Sequence, residues 1–188
     1  MKVLITGNPN KDLCSEIVPL LESDGHECFC VSRATGHDFQ DNPSHTIHEI
    51  LKLSDSYDVF INLYANYFFN ASILAQKLFN RWNEKGYGDR RIINVGSTTD
   101  RVKKGKSNLY HYEKLALREL SSGLSLIGVW DNGPKVTHLS FGTLENRSKD
   151  NPGRRCLDMK RAAGYVQWIL QQPKEININE LSIDPVQY

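Results

Sequence analysis

The sequence has no apolar run near the ~20 residues that a membrane-spanning helix needs. It has no excess of either charge: 23 Lys and Arg stand against 22 Asp and Glu, leaving +1. Nucleic-acid-binding surfaces usually carry a basic excess or stripe, so neither nucleic acid nor membrane is expected as a partner. Cysteine is sparse. Cys14, Cys28, Cys30 and Cys156 contain no C-x-x-C pair, which argues against a zinc ribbon, a thioredoxin motif or a disulfide framework. A reducing cytoplasm is the expected setting. His26, Cys28 and Cys30 alternate along one apolar segment, and His45 and His48 lie three apart. Neither group has an evident further ligand, so no metal site is read. There is no internal repeat and no low-complexity segment. The opening MKVLITGNPN has one Lys and a short apolar stretch, too short for a signal peptide.

What is present is an alternation of apolar runs with helical patterns along all 188 residues, read as a single domain, 1–188. Strands are expected at Lys2–Thr6, Cys28–Ser32, Asp38-Phe39 (very short), Asp58–Leu63, Arg91–Val95, Leu124–Trp130 and Ile178–Ile183. Helices are expected after the first turn, where Pro19 should kink or shorten the element, and from Asn42-Pro43 to about Leu53, with Asn as N-cap and Pro at the first position. Further helices are expected at Tyr67–Asn83, Ser107–Ser121 and Leu157–Leu170. Near-continuous apolar strands between helices indicate an α/β fold with a parallel sheet covered on both faces. Right-handed crossovers make it doubly wound, with ligands at the carboxyl ends of the strands.

The first strand-to-helix turn, TGNPNKDL, has one glycine, Gly7. Its amides suit a pyrophosphate at a helix N-terminus. Asn8 and Asn10 add polar contacts, and Lys11 a point charge. Further on, Tyr110 and Lys114 form Tyr-x-x-x-Lys on an expected helix, so they share a face. An ammonium there would lower the phenol from its usual value near 10. Alone this pair is weakly specific. Ser97 lies 13 residues before Tyr110, just after RIINV, and Asn70 lies 27 residues before Ser97. Arg33 closes the second strand where an acidic residue would favour NAD(H); with Ser32 it suits a 2′-phosphate. Arg101, Lys103, Lys104 and Lys106 form a basic segment between Ser97 and Tyr110.

Asn70, Ser97, Tyr110 and Lys114, in that order and spacing, resemble the Asn-Ser-Tyr-Lys tetrad of the short-chain dehydrogenase/reductases. The resemblance runs along nearly the whole chain. TGNPNKDL stands in the place of the family's TGxxxGxG turn, GHDFQD resembles its adenine-binding segment with Asp38 as contact, Asn62 stands at the first Asn of its NNAG, and DNGPKVT, with Gly133 and Thr137, resembles its Pro-Gly loop. Lys11 and Leu13 replace two of the three glycines, and the chain is short, with a reduced substrate lid. The resemblance implies a Rossmann fold with strand order 3-2-1-4-5-6-7 and helices on both faces. It implies an NADP(H)-dependent oxidoreductase, with NAD(H) second, acting on a small-molecule carbonyl or alcohol. Tyr110 is then general acid or base, Lys114 binds the nicotinamide ribose, Ser97 holds the substrate oxygen and Asn70 supports a proton-relaying water. A homodimer or homotetramer through the helices at Tyr67–Asn83 and Ser107–Ser121 is expected, with Leu74, Leu78, Leu117 and Trp82 as apolar candidates. The alternative is a non-catalytic NAD(P)-binding regulatory or sensor protein on the same fold.

Overall fold

The computed structural model describes residues 1–65, 68–101 and 108–186. Six parallel strands form one sheet: β1 (Lys2–Thr6), β2 (Glu27–Val31), β3 (Val59–Asn62), β4 (Arg91–Ser97), β5 (Lys135–Phe141) and β6 (Glu180–Ile183). Their order is β2-β1-β3-β4-β5-β6. Helices α1 (Cys14–Ser23), α2 (Pro43–Ser54), α3 (Asn70–Glu84), α4 (Leu109–Trp130) and α5 (Met159–Leu170) complete the chain.

Side-chain alternation along the strands builds two cores. Val3, Ile5, Val59, Ile61, Ile93, Val95, Leu139 and Phe141 meet α1 and α5 on one face. Leu4, Phe60, Ile92 and Val136 meet α2, α3 and α4 on the other. The α/β doubly wound reading therefore holds. Leu74, Leu78, Leu117 and Trp82, considered above as a self-association surface, are all fully buried inside these layers. The exposed apolar side chains of α3 and α4 include Ile73, Leu109, Tyr112 and Trp130.

Three details differ from the sequence reading. Asp38-Phe39 is not a strand: the chain makes a 3₁₀ turn at Arg33–Thr35, and Phe39 turns inward to stack on Tyr64, ring centroids 4.0 Å apart. The stretch Leu124–Trp130 is not a strand but the last two turns of α4. The strand is the next apolar run, Lys135–Phe141. Gly128 lets the chain fold back there, because a Cβ would lie 2.3 Å from the Pro134 carbonyl oxygen. Pro19 neither ends nor shortens α1. It lies on the exposed face, where the freed carbonyl can meet water, while buried Ile17 and Leu21 hold both halves of the helix to the sheet.

Helix α2 begins as expected. The Asn42 side chain accepts a hydrogen bond from the His45 amide at 3.1 Å, with Pro43 at the first helical position. Asn42→Ala is expected to lower stability by about 1 kcal/mol, read as a shifted urea midpoint with unchanged slope.

A buried polar ladder ties the sheet to α4. The Thr6 hydroxyl donates to Asn62 Oδ1 at 3.2 Å, Asn62 Nδ2 to Asn94 Oδ1 at 3.0 Å, and Asn94 Nδ2 to the Ser121 hydroxyl at 3.0 Å. Each link satisfies a group that would be costly to bury alone.

Candidate active site

The carboxyl edge of the sheet carries two regions of interest. The first is a cleft of about 550 Å³ at the ends of β1, β2 and β3, lined among others by Gly7, Asn8, Lys11, Ser32, Arg33 and Asp38. That size is usual for a small-molecule site. Arg33 is fixed in its wall: Nε pairs with Asp38 at 2.9 Å, and Nη2 donates to Gln40 Oε1 at 2.7 Å. Beside it, the buried Ser32 hydroxyl has no hydrogen-bond partner among the described residues. An unpaired buried hydroxyl next to two cations, Lys11 and Arg33, suits an anionic ligand such as a nucleotide phosphate. Asn10 does not line the cleft; its amide donates to Asn8 Oδ1 within the turn, at 2.9 Å.

The second region lies where β4 ends. Ser97 is the last residue of β4, and Tyr110 is in the first turn of α4. The Asn108 side chain caps that helix by accepting from the His111 amide at 3.0 Å. The Tyr110 phenol is a hydrogen-bond partner of the Ser97 side chain. One turn further, the Lys114 ammonium is buried and donates to the Val95 carbonyl at 2.9 Å. Asn70 opens α3 and is also buried.

The electrostatics differ from the simple pairing of ammonium and phenol. Lys114 Nζ sits over the Tyr110 ring, 5.9 Å from its centroid, and spends a hydrogen bond on the backbone. Burial holds the phenol above its ordinary value, outweighing the Ser97 hydrogen bond. Burial also holds the ammonium down at about 8, against the pull of Glu113 and Asp100.

Comparison with known proteins places the fold. No protein-family model matches the chain. Over 98 residues it is 33% identical to an uncharacterized oxidoreductase of Staphylococcus saprophyticus, a match covering 50% of this chain and 42% of that relative. The chain thus spans less than half the length of the curated relatives it matches. Among solved structures, it resembles serine dehydrogenase from Escherichia coli at a TM-score of 0.72 and 19% identity, covering 97% of both chains. It resembles a short-chain dehydrogenase from Leptospira borgpetersenii with bound NAD+ at 0.71 and 19%, covering 97% of this chain and 90% of that one.

The chain has the fold of the short-chain dehydrogenase/reductases.

Within that fold, three residues expected to hold cofactor take other places. The Asn62 side chain is fully buried and bonds inward to the Ala71 carbonyl and Asn94. Gly133 lies in the turn before β5, at the opposite edge of the sheet, where a Cβ would be 2.4 Å from Asn83 Oδ1. Thr137 is buried within β5. Both displacements follow from reading Leu124–Trp130 as the strand: the segment that leaves β5 at the carboxyl edge is Gly142-Thr143-Leu144. In the basic segment, Arg101 pairs with Asp184 through both Nη atoms, at 2.7 and 2.9 Å. Lys103, Lys104 and Lys106 lie outside the described residues, as does Tyr67.

The sequence reading missed Asp100, which accepts from the Ser97 amide, and His138 and Ser140, which bond to Asp100. Correct placement of β5 would have shown His138 and Ser140 on one strand face.

Proposed function

We propose that the chain is an NADP(H)-dependent oxidoreductase that interconverts a carbonyl and an alcohol on a small molecule. The observation carrying this reading is the hydrogen bond between the Tyr110 phenol and the Ser97 side chain at the carboxyl edge of the sheet, with Lys114 one helical turn on. Gly7, Asn8, Lys11, Arg33 and Asp38 are the residues assigned to the adenosine and phosphate end. When bound, the cofactor supplies or takes the hydride.

The remaining work falls to side chains. Ser97 holds the substrate oxygen, and Tyr110 gives it a proton or takes one. Lys114 serves the nicotinamide ribose, and Asn70 supports a proton-relaying water. A phenol held above its ordinary range is fully protonated at neutral pH, which suits a general acid. In carbonyl reduction the protonated phenol is the general acid. Serine dehydrogenase and 4-hydroxyisoleucine dehydrogenase, both similar in structure, make hydroxy amino acids and their keto forms a sensible first substrate panel. Self-association through α3 and α4, resting on exposed Ile73, Leu109 and Tyr112, and a cytoplasmic setting belong to the same proposal.

A non-catalytic nucleotide sensor is the second reading. It is favoured by the turn itself, where buried Leu13 packs into the core at a position that is glycine in the family's TGxxxGxG pattern. A cofactor titration followed by the panel, read by nicotinamide absorbance, separates the two. The sensor binds cofactor and turns over nothing.

Arg33 gives a cofactor-choice prediction. A guanidinium can hold a phosphate through two parallel hydrogen bonds, and each charge-assisted bond contributes about 1.5–3 kcal/mol. Arg33→Ala is expected to weaken NADPH by roughly 10- to 150-fold and to change NADH little. Equal loss for both cofactors would show that Arg33 does not read the 2′-phosphate.

A further inference from the structure

One buried ionisable group beside the tetrad has no part in the chemistry above. Asp100, in the 3₁₀ turn Thr98–Arg101, is 2% exposed. Its Oδ2 accepts from the Ser97 amide at 3.0 Å and pairs with His138 Nε2 at 2.9 Å. Its Oδ1 accepts from the Ser140 hydroxyl at 3.1 Å. His138 and Ser140 stand two apart on β5 and present one face to the turn. Gly96 makes room for the pair: a Cβ there would lie 2.3 Å from His138 Nε2 and 2.4 Å from Asp100 Oδ2.

We propose that Asp100 and His138 are a positioning pair, which fixes the Ser97 backbone from β5 and so sets where the Ser97 hydroxyl meets Tyr110. This rests on the oxidoreductase reading above.

The geometry gives the carboxylate a reason to be charged. Three donors converge on the carboxylate, which is the arrangement that favours the charged form. Among the described residues, His138 Nδ1 is buried with no hydrogen-bond partner. Nε2 faces a carboxylate oxygen that can only accept, so Nε2 carries a hydrogen and donates. Among the described residues, Arg101 is the full cation that pairs with the carboxylate, 3.8 Å from Oδ1. Arg101 Nε also donates to Ser140 at 3.3 Å, and its ion pair with Asp184 ties the turn to the end of β6. The turn is thus held from two neighbouring strands, with Ser97 at its root.

Mere stabilisation and positioning differ in one readout that needs no substrate. The charged groups acting on the Tyr110 phenol are Asp100 from the turn, Glu113 on its own helix and Arg147 from the loop after β5, with Lys114 over the ring. Asp100 and Glu113 push the phenol up and Arg147 pulls it down. The Ser97 hydrogen bond pulls it down as well, and His138 is not among the groups acting on it directly, so a change at His138 reaches the phenol through Ser97.

The experiment is an ultraviolet tyrosinate titration of the native chain, His138→Leu and His138→Gln, each with its own Tyr110→Phe counterpart subtracted. The Tyr110 midpoint is expected to rise in His138→Leu, where the Ser97 hydrogen bond is loosened, and to stay near native in His138→Gln. A midpoint unchanged in folded His138→Leu would overturn the proposal. Turnover supplies a second arm, with His138→Phe standing in should His138→Leu not fold. His138→Gln keeps an N–H near the Nε2 position and His138→Leu does not. With any panel substrate that the native chain reduces, His138→Leu is expected to lose about 10- to 100-fold in kcat at constant KM, while His138→Gln keeps most of it. Equal losses in both variants, following their loss of stability, would overturn the proposal. The titration stands apart from catalysis: if Tyr110→Phe leaves turnover unchanged, the oxidoreductase reading fails while the shift in midpoint remains measurable.

Discussion

Tyr110→Phe is expected to lower turnover by about 10²- to 10⁴-fold, the usual share of general acid–base catalysis, with cofactor affinity kept. The substitution removes one hydroxyl and leaves the ring in place between Ser97 and the Lys114 ammonium. The ring's packing survives, so a loss of rate cannot be assigned to a loosened α4. The pH profile carries a second signature. Burial raises the phenol above its ordinary value, so the acid form persists through neutral pH and carbonyl reduction should show no phenol-dependent decline there. Ser97→Ala should follow the same direction, because the hydroxyl that the phenol meets is the one assigned to the substrate oxygen. A Tyr110→Phe variant with near-native turnover would remove the assigned chemistry.

Lys114→Met is expected to act in two opposite senses: turnover and cofactor affinity fall, while the fold gains stability. The ammonium is 3% exposed and donates to one carbonyl, that of Val95. Burial depresses it to about 8, from an ordinary 10.5. The sign follows from proton counting. Between those two values the unfolded chain holds a proton that the folded chain has released, so stability rises with pH across that window. Below about pH 8 the folded chain carries a charge in a dry site, and the penalty is fully present. The span corresponds to ~3 kcal/mol at 1.36 kcal/mol per pH unit. Methionine removes that penalty but leaves the Val95 carbonyl without its donor, a cost of about 1 kcal/mol or more. The net gain should be about 1–2 kcal/mol at pH 7 and should shrink as pH approaches 10.5, measured by urea unfolding at several pH values. A variant less stable than the native chain at pH 7 would mean that the buried ammonium is a net stabiliser. A side chain kept at a cost to stability is what a functional role would require.

Legibility of the fold depended on how local each signal was. The apolar run Lys2–Thr6 is β1 without change, and Asn42-Pro43 opened α2 because an N-cap and a proline act within one turn. The run Leu124–Trp130 misled because short apolar segments fit helix and strand equally. Only packing decided between them: Gly128 against the Pro134 carbonyl, and Leu124 against the core beside α3. That error moved β5 by about ten residues and carried Gly133 and Thr137 away from the carboxyl edge.

The site divides in the same way. The juxtaposition of Ser97, Tyr110 and Lys114 was legible because their spacing along one strand end and one helix is set by the chain itself. The neighbours of Ser97 were not. Asp100 reaches His138 and Ser140 across the register of β4 and β5, a relation that no spacing in a single sequence displays. Asn62 was misassigned for a related reason: its partners, Thr6 and Asn94, belong to two other strands, and together they take its side chain out of the cleft.

The account depends first on whether the glycine-poor turn at Gly7 still holds a dinucleotide, and calorimetric titration of the purified chain with NADPH and NADH measures that directly. Binding of NADPH in the micromolar range, at least about tenfold tighter than NADH, is the result expected from a cleft that carries Lys11, Arg33 and the unpaired Ser32 hydroxyl. No heat from either cofactor at about 1 mM would contradict it.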